Sequence, residues 1–272
     1  MSKTEATIWE HLEELVVRLR RALLALFIAS IVVPLLPNPL ALLSREGYAP
    51  LMLTVHHFIR GYIVPDYITV GGKTIEVNLV SSDPFMGLKV TLYTMLLIGV
   101  IVAGPYMAYE IYAFIRPALY SHEERALKLG AIASSLLFLL GASIALFALL
   151  PLTYRVMFTM TYLIAGELAA YADYSEVFRT VVLITLASGI AFQTPLIIFL
   201  LVYYDVIRVS LFGKTMRYVL IASALVAAVL SPDPSGIGML ILLIPYFSLI
   251  AIAVALANWL KARKTRRKEF ST

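Results

Sequence analysis

Six apolar runs, each bounded by charge or proline, limit this chain to very few folds. They cover roughly residues 22–36, 85–114, 129–150, 177–203, 218–230 and 237–260. About 20 apolar residues match the hydrocarbon thickness of a bilayer, where a helix satisfies its own backbone polar groups. The 272 residues are 61% hydrophobic and only 14% charged, with a mean hydropathy of +0.88. A water-soluble domain needs far more polar surface. The expected fold is an all-α polytopic membrane protein with six transmembrane helices, forming one membrane domain over residues 1–272.

An even number of spans returns both termini to one side. Sixteen of the 22 Lys and Arg residues fall on the side that holds the termini. They are Lys3, Arg18, Arg20 and Arg21 before the first run, then Arg116, Arg125 and Lys128 after the second. Arg208, Lys214 and Arg217 follow the fourth, and Lys261, Arg263, Lys264, Arg266, Arg267 and Lys268 lie in a basic tail at 261–272. Cytoplasmic loops concentrate such residues, so both termini are expected to be cytoplasmic, in the plasma membrane. The net charge of +5 then reflects orientation, with no call for nucleic acid, and the tail reads as an anchor to anionic lipid. Arg20-Arg21 before an apolar stretch imitates an export signal, but no small-x-small cleavage site follows before Pro34–Pro39, so this run is expected to remain as a span.

The first outside segment, about Asn38 to Asp83, is too long for a bare connector and should fold as an extracytoplasmic cap. Pro50 to Ile63 predicts a short amphipathic helix, with Leu51, Val55, Phe58, Ile59 and Tyr62 toward one side. Residues 67–70 and 74–79 flank Gly71-Gly72-Lys73 and predict a β-hairpin, the glycines supplying the positive φ of a tight turn. A second outside segment is expected from Tyr154 to Glu176, and a tight turn at Ser231–Gly236. Pro105 removes a backbone hydrogen bond from the second span and should bend it. The fifth run rises only ~20 Å at 1.5 Å per residue, against a core of ~30 Å. Lys214 and Arg217 hold one end and Pro232 the other, so the bilayer should thin there or a partner should cover the mismatch.

The chemistry available to the chain is narrow. With no cysteine there is no disulfide, thiolate metal site or thiol nucleophile. His56 and His57 point about 100° apart on a helix and lack a nearby third ligand, so no metal is expected. No glycine-lysine phosphate loop is present, and no serine–histidine set or aspartate pair lies inside the spans. Neither an enzyme nor a cofactor is expected.

Two acidic patches break the basic face: His11-Leu12-Glu13-Glu14-Leu15 before the first run, and Ser121-His122-Glu123-Glu124-Arg125 after the second. One reading makes them solvated helix ends, with Glu13 and Glu14 paired to Arg18 one turn on. The other makes them a site for a cationic ligand, since carboxylates bind guanidinium groups through bidentate, charge-assisted hydrogen bonds that lysine cannot copy. Phe114, Pro117, Leu119 and Tyr120 read either as an interfacial helix exit or as part of that surface. Glu110 near the end of its span should snorkel to water. Lys89 and Pro50 read as structural, and Asp233 as a turn or cap residue. Gln193, deep in the fourth run, reads either as an interhelical hydrogen bond or as a docking point for a partner helix.

The ordered set of short motifs resembles the TatC family, the multispanning core of the twin-arginine protein translocase. His11-Leu12 with Glu14-Leu15 and Arg18-Leu19 is similar to its N-terminal motif, and Asp83-Pro84-Phe85 with Leu88-Lys89 to its entry to the second span. Gly104-Pro105 through Tyr109-Glu110, Phe114 and Pro117-Ala118-Leu119-Tyr120 to His122-Glu123 resembles its most distinctive stretch. Phe192-Gln193 with Pro195, Ser231-Pro232-Asp233 and Pro245 continue the pattern, while Val16, Ile237–Met239 and Ala251 depart from it. The resemblance implies a receptor for twin-arginine signal peptides of folded exported proteins. Glu14 and Glu123 would hold the arginines, with Glu13, Arg18, Phe114, Pro117, Leu119 and Tyr120 around them. It implies docking of single-span TatA-type subunits at Gln193, TatB-type subunits as further partners, and self-association within a complex driven by the proton-motive force. The competing class is a small-solute or ion secondary transporter, which would need ionisable groups at the membrane midplane and two similar halves.

Overall fold

The computed structural model describes residues 3–38, 48–81, 83–115, 124–166, 171–207, 209 and 213–269. Helix α1 spans Lys3–Leu35, with Pro34 tolerated in its last turn. Helix α2 spans Leu51–Phe58 and runs into a π turn at Ile59–Ile63. Strands β1 (Tyr67–Val70), β2 (Lys73–Glu76) and β3 (Asn78–Val80) follow, then α3 (Met86–Ile115). Helix α4 (Glu124–Ile144) passes through a π turn at Ala145–Leu149 into α5 (Leu150–Ala165). Strand β4 (Tyr171–Asp173), α6 (Tyr174–Ala191), α7 (Thr194–Tyr203), α8 (Lys214–Leu230) and α9 (Ile237–Glu269) complete the described chain.

Among the described residues, four helical stretches are long and apolar enough to cross a membrane: Met86–Phe114, Leu129–Ala165, Tyr174–Tyr203 and Ile237–Arg263. Thr215–Leu230 is a shorter apolar helix. In the most apolar window of Ile237–Arg263 only 22% of residues are buried. Such an apolar exterior is stable only against lipid or another apolar partner.

Helices α1 and α3 run antiparallel: Ser30 abuts Gly99 near one end of the contact and Arg18 meets Glu110 near the other. In α3, Gly104 accepts the Phe138 ring of α4 so closely that an added Cβ would overlap it. Gly189 of α6 approaches the same ring, where a Cβ would lie 2.6 Å from Cε2. Phe138, 1% exposed, thus wedges α3, α4 and α6 together where two backbones lack side chains. A second core joins α7, α8 and α9 through Val202, Met216, Ala227, Leu242, Tyr246 and Ile250.

Several boundaries differ from the sequence expectation, each for a local reason. Helix α1 begins far before residue 22, and Arg18 in this earlier part meets Glu110 of α3. The third run does not end at Leu150. The helix continues to Ala165, with Pro151 directly after the π turn at Ala145–Leu149. Tyr154 and Phe158 there join a core with Ile59, Ile63, Val64, Ile68 and Val77, so packing extends the helix beyond its apolar run. Helix α8 starts at Lys214, four residues before the expected span, and its 17 residues rise about 26 Å at 1.5 Å per residue. Pro105 leaves α3 unbroken, and its carbonyl accepts a hydrogen bond from Ser135 Oγ at 3.1 Å.

Strands β1 and β2 pair antiparallel with Val70 opposite Lys73, and Gly71 and Gly72 take φ of +59° and +82°. The second strand is shorter than expected. Beyond Glu76 the chain turns inward at Val77, whose N–H bonds Asp66 O at 2.9 Å, and β3 then pairs parallel with β4. The expected one-sided face of α2 is also redrawn by the π turn. Ile59 and Ile63 are buried, while Phe58 and Tyr62 stack on each other with centroids 5.2 Å apart and meet Phe147 edge-on. The basic tail continues α9 as helix; Lys261 is held by Val202 O and Asp205, and Arg263 lies over the Trp259 ring.

Candidate functional site

The described acidic residues of the first patch sit on α1. Glu13 is exposed, and Glu14 is part-exposed with Oε1 accepting from Arg18 Nη2 at 2.7 Å and Nε at 2.9 Å. An i,i+4 pair of this kind is what helix geometry brings together. Arg18 does not stop there. Its Nη1 donates to Glu110 Oε2 on α3 at 3.1 Å, and Tyr106 OH donates to Glu110 Oε1 at 2.7 Å. Glu110 is 4% exposed. The expectation that it snorkels to water is therefore corrected: with Arg18 facing it across the helix contact, pairing is available without the side chain leaving the interior.

Helix α3 ends at Ile115, five residues or about 7.5 Å past Glu110. Phe114 is part-buried at this end. Pro117, Leu119, Tyr120 and Glu123 lie outside the described residues. The site residues that the structure brings together are Glu14 and Arg18, joined by two that the sequence reading left apart from them, Glu110 and Tyr106. One signal for this was available: opposite charges at corresponding ends of consecutive apolar runs are candidates for a pair.

Gln193 lies at a break between α6 and α7. Pro195 lacks the N–H that would continue the ladder, and Gln193 O accepts instead from Leu196 and Ile197 N–H, both at 3.1 Å. Its side chain is 3% exposed. Ser134 Oγ of α4 donates to Gln193 Oε1 at 2.7 Å, and Gln193 Nε2 donates to Ser134 O at 3.2 Å and Gly189 O at 3.3 Å. Ser134 Oγ also reaches Ala108 O at 2.7 Å. The amide thus ties α4 to the α6–α7 break, with Ser134 linking on to α3.

The remaining residues hold termini. Asp83 accepts from Phe85 N at 2.7 Å and pairs with Lys89, closing the first turn of α3. Pro50 precedes α2 and bridges to Pro37. Asp233, buried, accepts from the Ser231 and Ser235 hydroxyls and from Gly238 N–H at the start of α9. Burial alone would raise its pKa, but these hydrogen bonds outweigh burial and hold the carboxyl below its ordinary value. Away from this, His56 Nε2 meets Tyr174 OH at 2.9 Å and its ring stacks on Phe178 at 5.0 Å. Burial first, and the charge of His57 second, push its pKa down. Among the described residues no cluster of three His, Cys, Asp or Glu side chains has metal-binding geometry.

Comparison with known proteins now decides the family. The model of "Sec-independent protein translocase protein (TatC)" matches residues 10–245. The chain belongs to the TatC family. It is 31% identical over 191 residues to TatC of Aquifex aeolicus, covering 70% of this chain and 78% of that protein. TatC of Escherichia coli K12 is 28% identical over 201 residues, covering 73% and 74%. A crystal structure of the twin arginine translocase receptor TatC superposes with a TM-score of 0.63 at 27% identity, over 91% of this chain and 99% of that one. A second, in DDM, gives 0.64. This TatC-family chain is a membrane-embedded core component of a Sec-independent protein translocase, not an enzyme.

Proposed function

We propose that this chain is the receptor and scaffold that recognises consecutive arginines in the signal peptides of folded exported proteins. Recognition takes place on the cytoplasmic face of the plasma membrane, with six spans and both termini inside. Glu14 and Glu123 accept the two guanidinium groups, and Glu13, Phe114, Pro117, Leu119 and Tyr120 border the site. The observation that carries this reading is the family match over residues 10–245, which includes both acidic patches. The antiparallel α1–α3 contact supports it, because it sets Glu14 toward the end of α3 from which the second patch is reached.

Bidentate carboxylate recognition explains selection of arginine over lysine, whose ammonium is a single point charge. TatA-type subunits dock beside the α6–α7 break, which Gln193 shapes from within, and TatB-type subunits, further copies of the chain and lipid complete the assembly. The chain has no nucleotide-binding loop in its sequence, and the proton-motive force supplies the energy.

The test is crosslinking of the membrane-embedded protein to a peptide with two arginines before an apolar run, against its twin-lysine form. Strong preference for arginine, weakened by Glu123→Ala, is the expected result. Equal capture of both peptides would reject the reading.

A further inference from the structure

Glu110 is the unusual residue of this region: a carboxylate on an apolar helix, buried from solvent, with each oxygen engaged by a different partner. Oε2 receives Arg18 Nη1 and Oε1 receives Tyr106 OH. Burying a carboxylate costs heavily unless it is paired and hydrogen-bonded, and Arg18 provides the pairing charge.

The guanidinium is planar and its donors are fixed relative to one another. Nη1 is committed to Glu110 on α3, while Nε and Nη2 both donate to Glu14 on α1. Fixing one edge of the fork therefore fixes the direction in which the other edge holds the Glu14 carboxylate. Glu110 touches Arg18, Arg18 touches Glu14, and the order of contact runs from the interior outward.

We propose that Arg18 is a positioning residue, anchored by Glu110, that sets the orientation of Glu14 for an incoming arginine. This deepens the reading of Glu14 as a signal-peptide contact and rests on it. Arg18 is poorly suited to touch the signal itself: like charges repel, and both edges of its guanidinium are already engaged within the protein. Through the Glu110–Arg18 link, the buried acidic residue exerts its effect toward the surface, two contacts away.

The test is an epistasis series read by crosslinking to the twin-arginine and twin-lysine peptides, with each variant's membrane level and thermal midpoint measured as a folding control. Arg18→Gln and Glu110→Ala should each lower twin-arginine capture by about tenfold, the size expected for one charge-assisted hydrogen bond. They should also reduce the arginine-over-lysine preference. Arg18→Lys should fall nearly as far as Arg18→Gln, because one ammonium cannot hold both carboxylates in the fork geometry.

Combining Arg18→Gln with Glu110→Ala should cost no more than Arg18→Gln alone. In a Glu14→Gln background neither substitution should lower capture further, since both act through Glu14. Multiplying effects in that background, with folding unchanged, would overturn the proposal while leaving Glu14 as a signal contact. Rescue of selectivity by Arg18→Lys would overturn it too, by reducing Arg18 to a charge. If Glu14→Gln itself leaves capture unchanged, both the proposal and the reading beneath it fall. Glu110→Gln provides the milder variant if Glu110→Ala does not accumulate. Its amide still accepts from Arg18, so capture should fall less than with alanine.

Discussion

The Phe138 ring of α4 rests directly on the backbone of α3 at Gly104, with no room for even a methyl group between them. Gly104→Ala should therefore force the ring or the helices apart. The expected loss is ~1–3 kcal/mol, the usual cost of overpacking a tight core. Thermal unfolding in detergent should show a lowered midpoint for Gly104→Ala, partly restored when Phe138→Leu is added. An unchanged midpoint for the single variant would contradict the close packing.

Gln193→Leu removes the hydrogen bonds that tie the helix break to Ser134. The expected cost is small, about 1 kcal/mol, as for other interhelical hydrogen bonds in membranes. The single Ser134 hydroxyl proton still has Ala108 O as an acceptor at 2.7 Å, so the hydroxyl is not left stranded. Signal-peptide crosslinking should persist while co-purification of a TatA-type subunit declines. The reverse pattern would mean that the break serves recognition and not assembly.

The His56 contact should depend on pH. Its pKa in the fold lies below the ordinary 6.5, so the unfolded chain binds a proton first as pH falls. This contribution to stability is therefore full above about 6.5, and declines as pH drops from there toward the folded pKa. Melting curves at pH 7.5 and 5.5 should differ more for the natural chain than for His56→Gln. Equal differences would place the pH sensitivity elsewhere.

Asp233→Ala removes the acceptor for two hydroxyls and the Gly238 N–H at the start of α9. The expected destabilisation is about 1–2 kcal/mol, in the range for lost helix caps. Because the carboxyl is held below its ordinary 3.8, its contribution is complete above that value and is lost only as pH falls through the folded pKa. The difference in midpoint between natural and variant chains should thus stay constant from pH 5 to 8. A difference that varies across that range would exclude this origin.

Much of this architecture was legible in the residues alone. The apolar runs dictate helices, because a bilayer offers the backbone no other hydrogen-bond partners. Gly71-Gly72 dictates a turn, since both positions take positive φ, which side chains resist. The family was legible too, in motifs spread from His11 to Pro245, and those motifs singled out Glu14 and Gln193 as residues of interest.

What tertiary structure decided is which face of each helix meets which neighbour. In a membrane protein lipid and core are both apolar, so a uniformly apolar run carries depth but almost no information about rotation. Hence Glu110 looked free to reach water, yet α1 turns Arg18 onto it. For Gln193 an interhelical bond and a partner contact were both open, and α4 brings Ser134 to its amide. Helix α5 runs on past its apolar stretch because Tyr154 and Phe158 find a core to enter. Sequence determined that this chain lives in a membrane and which stretches are apolar enough to lie in it; packing determined the pairs between helices, because pairing across a contact needs a direction that hydrophobicity does not encode.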